Sequence, residues 1–262
     1  MAMKLASERT PRMTAGSADI RVVEPTTLDL DARARITQIL KDGRINTLLQ
    51  PIVQLRGHKV VGVEALSRFP QMPLRPPNEW FAEALDVRLG EELELLAIKN
   101  ALLRLDSLPS NVYLSVNVSP TTVVNASLGI CFWGTNWSRV VLEITEHAPV
   151  KDYRALNDAI APLKKAGARL AVDDAGAGFA SLKHILSVAP DIIKLDMEMS
   201  RNVMLDRGSR AMVAALVSFA RESGAVVIAE GIETKDQFKA LTELGVRYGQ
   251  GYLLGRPTRG AG

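Results

Sequence analysis

Four short apolar runs in this chain each end on an ionisable side chain. They are Val140-Val141-Leu142-Glu143, Leu170-Ala171-Val172-Asp173-Asp174, Ile192-Ile193-Lys194 and Val226-Val227-Ile228-Ala229-Glu230. A strand buried on both faces needs continuous hydrophobicity of this kind, and parallel sheets supply such strands. The group that follows each run then falls at the strand's C-terminal edge. In a parallel β/α barrel that edge is the mouth, where charge meets solvent, metal or substrate instead of being desolvated. Three segments of helical pattern lead into these runs and into a further strand in nearly the same way, at Lys165-Ala166-Gly167-Ala168, Glu222-Ser223-Gly224-Ala225 and Glu243-Leu244-Gly245-Val246. Glycine just past a last helical turn takes the left-handed conformation that closes the helix and turns the chain into a strand. Positions 143, 173, 194 and 230 are 30, 21 and 36 residues apart, room for one strand, one helix and loops per step. An open doubly wound sheet is the competing architecture, but its phosphate turn G-x-G-x-x-G is missing. The expected fold is α/β, a TIM-like (β/α)8 barrel.

At 262 residues and 47% hydrophobic content the chain is long enough for one such barrel without a second domain. Residues 1 to about 30 mix Ser, Thr, Pro and charge without period and read as a flexible N-terminal arm, leaving 31–262 as the domain. A helix is expected at Asp31 to Lys41. Strands are expected at Asn46 to Val53 and Val60 to Ala65, joined through Arg56-Gly57-His58. Phe69 to Pro77 holds four prolines and reads as an irregular loop. The 32 basic and 29 acidic residues are scattered, which argues against a nucleic-acid polymer as partner. The longest apolar stretch, Ala211 to Ala220, is shorter than the roughly 20 residues a bilayer span needs. Met1 to Thr10 lacks the apolar core of a secretory signal. A single cysteine, Cys131, forms no internal disulfide and reads as an inert packed thiol in a reducing compartment, so a cytoplasmic protein is expected.

Each candidate site residue has an ordinary structural reading beside the chemical one. Glu64, in Val63-Glu64-Ala65-Leu66-Ser67-Arg68, could form a rim salt bridge with Arg68. Asn117, in Leu114-Ser115-Val116-Asn117-Val118-Ser119-Pro120, could cap the turn before proline, and strand alternation puts Val116 and Val118 on the face opposite to it. Glu143 and Glu146 could belong to a capping box. The adjacent pair Asp173-Asp174 is sharper, because neighbouring carboxylates repel unless a cation or strong donors compensate them. Oxygen ligands of this type suit Mg2+ or Mn2+, and the pair suits two metals. His58, His147 and His184 show no paired zinc spacing. Lys194 on a buried strand needs an acidic partner, or serves as a rim ammonium that positions water or phosphate. Glu230 and Glu233 complete the ring.

Together these segments closely resemble the EAL domain of bacterial cyclic di-GMP phosphodiesterases, over roughly Gln50 to Pro257, with the motifs in that family's order and approximate spacing. The signature itself reads Glu64-Ala65-Leu66, extended to Arg68. The resemblance implies hydrolysis of cyclic di-GMP to linear 5′-pGpG by an EAL-type phosphodiesterase domain. It implies that Glu64, Asn117, Glu143 and Asp173 hold one divalent cation, that Asp173 bridges to a second held also by Asp174, and that Glu230 with Lys194 orders the attacking water. Gln250 corresponds to a site-lining glutamine. Gln50, Leu66, Arg68, Glu233 and Pro257 make up the substrate-binding set, and Glu146 anchors the loop after the aspartate pair. A homodimer touching near that loop is also implied. The loop departs from the commonest pattern, in which Phe and Thr stand at the positions of Ala175 and Ala177 and Tyr at that of Phe179. The alternative function is a cyclic di-GMP-binding module without turnover. A more distant one is a barrel using Lys194 as a base beside a single Mg2+.

Overall fold

The computed structural model describes residues 27–145, 150–175 and 181–260. Eight strands close into one barrel in sequence order: β1 (Asn46–Gln54), β2 (Lys59–Arg68), β3 (Tyr113–Asn117), β4 (Val140–Thr145), β5 (Arg169–Ala175), β6 (Ile192–Leu195), β7 (Val226–Ala229) and β8 (Tyr248–Gly249). The helices are α1 (Thr27–Asp42), α2 (Pro77–Asp86), α3 (Gly90–Leu102), α4 (Pro120–Ala126), α5 (Leu128–Cys131), α6 (Tyr153–Lys165), α7 (Ser181–Val188), α8 (Met197–Asn202), α9 (Arg207–Ser223) and α10 (Lys235–Glu243). The expected closing glycines behave as argued, with φ of 99° at Gly167, 78° at Gly224 and 90° at Gly245.

The barrel is not parallel throughout, which corrects one expectation. β1 pairs antiparallel with both β2 and β8, while the ladders from β2 round to β8 are parallel. The cause is the connection. Only Leu55 to His58 separate β1 from β2, with Gly57 at φ 97° and His58 at φ 52°. So short a link can make a hairpin but not a crossover.

Alternation along the strands sorts the core into two shells. Leu114, Val116, Leu142, Ile144, Leu170, Val172, Ile193, Leu195 and Val227 face outward and pack with the helices. Ile52, Val141, Ala171, Ile192 and Ile228 form a separate cluster inside the barrel, with Tyr113 and Tyr248 against it. Gly62 belongs to this floor by having no side chain. A Cβ there would lie 2.3 Å from the Tyr113 ring, which occupies that space.

Three short helices, α4, α5 and α8, are absent from the sequence reading because segments this short carry no apolar period. α4 also moves the expected cap. Ser119, not Asn117, is its N-cap, accepting from Thr122 N at 3.2 Å. Cys131 is exposed rather than packed, since α5 is a single turn at the surface. Among the described residues no helix is long and apolar enough to cross a membrane.

Candidate active site

Two residues beyond each floor position the side chain again points inward. That step brings Gln50, Glu64, Ser115, Glu143, Asp173, Lys194, Glu230 and Gln250 into one polar layer, one from each strand or its immediate end. Lys194 is its centre. Its Nζ lies 2.7 Å from Glu230 Oε1, 2.8 Å from Glu143 Oε2, 3.0 Å from Asp173 Oδ1 and 3.5 Å from Glu64 Oε2. The expectation of a solvent-facing rim fails for three charged members, because Lys194 is 0%, Glu143 1% and Glu64 6% exposed. β4 continues to Thr145 and β5 to Ala175, so Glu143 sits inside its strand rather than at the end.

Burial opposes the charge on Lys194, but Asp173, Glu143, Glu230 and Glu64 outweigh it and hold the ammonium well above its ordinary range. Such a lysine is a fixed cation, and it has no tendency to act as a base. Burial pushes Glu143 up to about 8, with Lys194 opposing and Glu64 and Asp173 adding to the rise. Burial also raises Glu230 well above the carboxylate range, again against the pull of Lys194. One ammonium does not satisfy four acids.

The remaining polar groups brace this ring. Asn117 Nδ2 donates to Glu64 Oε1 at 3.0 Å, and Gln250 Nε2 donates to Glu64 Oε2 at 2.7 Å and to Gln50 Oε1 at 2.9 Å. Ser115 Oγ donates to Glu143 Oε1. Ser115 was missed in the sequence, although it lies on the same strand face as Asn117. Arg68 forms no ion pair with Glu64; its guanidinium donates to Ser67 O at 2.8 Å.

A local break in β5 arranges the aspartate pair. Adjacent residues on a regular strand point to opposite faces. Here the β5–β6 register shifts between Val172 and Ala175, and Asp174 adopts φ 58°, a left-handed conformation that Asp tolerates better than most residues. As a result, ligand oxygens of Asp173, Asp174 and Glu230 all come within 4.8 Å of one another. Asp173 Oδ1 is buried and accepts no hydrogen bond of good geometry, although Lys194 Nζ is close. Hard carboxylate oxygens converging without enough donors fit a hard divalent cation. Glu146 lies outside the described residues.

Above the ring is a cavity of about 320 Å³. Gln50, Leu66, Arg68, Glu233 and Pro257, the complete expected substrate set, line it, and Glu64, Asp173, Glu230 and Gln250 face it from below. Met197, Arg201 and Tyr252 also line it and were not anticipated. A larger cleft of about 680 Å³ lies among the outer helices near Ile130 and Trp133, but none of its lining residues is titratable.

Fold and site together define a β/α barrel with an acidic mouth suited to cations. The chain belongs to the EAL domain family, whose model matches residues 33–257. It is 30% identical over 234 residues to the bifunctional diguanylate cyclase/cyclic di-GMP phosphodiesterase MucR of Pseudomonas aeruginosa, a match covering 85% of this chain and 34% of that protein. The EAL enzyme Bd1971 in its cAMP- and cyclic-di-GMP-bound form superposes with a TM-score of 0.78 at 26% identity, over 89% of this chain and 68% of that one. Klebsiella pneumoniae BlrP1 in a manganese/cyclic-di-GMP complex gives a TM-score of 0.73 at 29% identity, over 82% and 56%. The chain spans about a third of the length of the first of its curated relatives, MucR among them.

Proposed function

We propose that this domain hydrolyses cyclic di-GMP to linear 5′-pGpG with the help of Mg2+ or Mn2+. One observation carries the reading: the carboxylate ring around Lys194 opens directly into a cavity lined by Gln50, Leu66, Arg68, Glu233 and Pro257. The likeness to MucR, a cyclic di-GMP phosphodiesterase, and to the cyclic-di-GMP-bound Bd1971 and BlrP1 supports the substrate, and the manganese in the BlrP1 complex supports the metal. Glu64, Asn117, Glu143, Asp173, Asp174 and Glu230 are the holding residues. Bound cations would offset the burial that raises Glu143 and Glu230 and keep all five carboxylates ionised; counted against Lys194 these leave four negative charges, which two divalent cations would balance. Bound there, such cations neutralise the phosphodiester and lower the pKa of the attacking water.

The chain's own groups do the rest. Lys194 holds Glu64, Glu143, Asp173 and Glu230 in one array, so the array does not have to assemble when substrate arrives. Glu230, at the edge of the ring, orients the water and receives its proton. Gln250 and Asn117 fix the two oxygens of Glu64. Water adds to phosphorus as the bond from phosphorus to the 3′ oxygen breaks; that oxygen takes a proton from solvent water to become the free 3′ hydroxyl, and Glu230 gives the proton it received back to solvent. The 5′-phosphate stays on the linear product.

The same reading places the enzyme in the cytoplasm and pairs it as a homodimer near the loop after Asp174. The deciding experiment is turnover of cyclic di-GMP by purified protein. Formation of 5′-pGpG is expected with Mg2+ or Mn2+, none in excess chelator, and inhibition by Ca2+, which coordinates more loosely. Stoichiometric binding without product would establish the binding module instead, and full activity in chelator would remove the metals from the reaction.

A further inference from the structure

Most acids facing the cavity belong to Lys194, but Glu233 does not. Its carboxylate pairs with Arg201, Nη2 to Oε1 at 2.8 Å, and Oε2 has no partner among the described residues. Both side chains are about half exposed and both line the cavity. An ion pair this open adds little to folding stability. The fold nonetheless builds it with care from three directions.

Glu233 is held through its backbone, its N–H donating at 2.9 Å to Gln237 Oε1, the same oxygen that accepts from Thr234 N in the capping box at the start of α10. Arg201 comes from α8, which begins immediately after β6 at Asp196 and is capped by that residue. The two elements approach closely because Gly231, at φ 64°, has no side chain. A Cβ there would meet Met197 Cγ of α8 at 2.2 Å. On the other flank, Ile232 N donates to Gln250 O at 3.0 Å and Leu253 N to Ile232 O at 3.0 Å. The Glu230 to Glu233 turn is thus clamped between α8 and the Gln250 loop, and Arg201 fixes its last side chain.

We propose that Arg201 is a positioning residue for substrate selection, holding the Glu233 carboxylate on the cavity wall as an acceptor for a guanine edge. This rests on cyclic di-GMP being the substrate. Guanine presents two donors side by side, N1–H and the N2 amine, whereas adenine presents a lone-pair acceptor at N1. An ionised carboxylate only accepts, so it satisfies the first edge and opposes the second. Arg201 on Oε1 fixes the orientation of the carboxylate, and Oε2 is left for the incoming base.

The test compares steady-state hydrolysis of cyclic di-GMP and of its adenine analogue cyclic di-AMP, with Mn2+ present. For Arg201→Ala a rise in KM of about tenfold is expected with kcat held within about twofold, and the preference for guanine in kcat/KM should shrink. Arg201→Lys should recover part of the loss. Glu233→Gln should reproduce it, and adding Arg201→Ala to Glu233→Gln should cost little more, because the two act as one unit. Should Arg201→Ala fail to fold, the Lys and Gln variants decide alone. Unchanged KM and unchanged base preference in these variants, beside an active wild type, overturn this role and leave the hydrolase reading standing. A wild type inactive on cyclic di-GMP overturns both.

Discussion

The interior of this barrel changes character over one pleat of its strands, about 6.6 Å. Ile52, Val141, Ala171, Ile192 and Ile228 form a dry floor, while Gln50, Glu143, Asp173, Lys194 and Glu230, each two residues from its floor neighbour, form a polar ring that is charged at all but Gln50. The strands are the same and the burial is nearly the same. The floor gains by exclusion of water, on the order of 1.5–3 kcal/mol for each large aliphatic side chain. The ring loses by it, because every charge there is desolvated and only partly repaid by its partners. Stability therefore resides in the lower layer and chemical capacity in the upper one. The lower layer also serves the upper, since it shuts out water that would screen the ring's field from below.

The strongest way to break this division is to remove the ring's single cation. Lys194→Met keeps the volume but leaves the surrounding carboxylates facing one another. Turnover should vanish, and without divalent metal the protein should lose about 3–5 kcal/mol in denaturant unfolding. Saturating Mn2+ should return part of that stability. Equal stability of variant and wild type in chelator would show that the ring carries no electrostatic load. Asp173→Ala and Glu64→Ala should come next, each abolishing cyclic di-GMP turnover with folded secondary structure retained by circular dichroism. Near wild-type rates for either would remove that residue from the ligand set.

The opposite substitution belongs to the floor. Gly62→Ala pushes a methyl group into the Tyr113 ring and should cost about 1–3 kcal/mol. Calorimetry should register that loss while metal affinity stays put. A change confined to metal affinity would mean that floor and ring are not separable. The smallest effect lies outside both layers, at His184, whose imidazole meets the Tyr153 hydroxyl at 3.1 Å. Burial lowers its pKa below the ordinary value, so the folded state resists a proton that the unfolded chain accepts. Stability tied to this group is complete above about pH 6.5 and falls as pH drops through the folded pKa. His184→Gln should flatten a small decline in melting temperature between about pH 7 and about pH 5. An identical decline in both proteins would assign it elsewhere.

The division itself was largely legible in the sequence, because apolar runs ending on acids encode a floor and a ring directly. Glu143, Asp173, Lys194 and Glu230 follow from that pattern alone, and Glu64 and Asn117 gain their place from the motifs beside them. What the pattern hides is depth. Run length shows where hydrophobicity stops but not where the strand stops, so Glu143 and Lys194 were expected nearer solvent than they lie. The register break at Asp174 was equally hidden. Two consecutive acids look like an unresolved repulsion until a left-handed φ turns them toward one site. Arg201 gave no signal at all, since a six-residue helix has no period and its partner is 32 positions away.

The reversed first strand has a consequence for attachment. In a barrel of parallel strands the chain enters β1 from the closed end. Here β1 starts opposite Arg68, a cavity-lining residue, and runs downward, so α1 delivers the chain at the open end. The far end returns to the same place: Thr258 bridges to Leu49, and the Arg259 carbonyl accepts from Arg104 Nη2. Ile45, Asn46, Thr47 and Arg259 line one shared cleft of about 360 Å³. Both ends of the described domain are therefore anchored on the cavity side, like two mooring lines on one quay. The wall built by β1 and β2, with Gln50 and Arg68 on it, carries both, and the far face of the barrel carries neither.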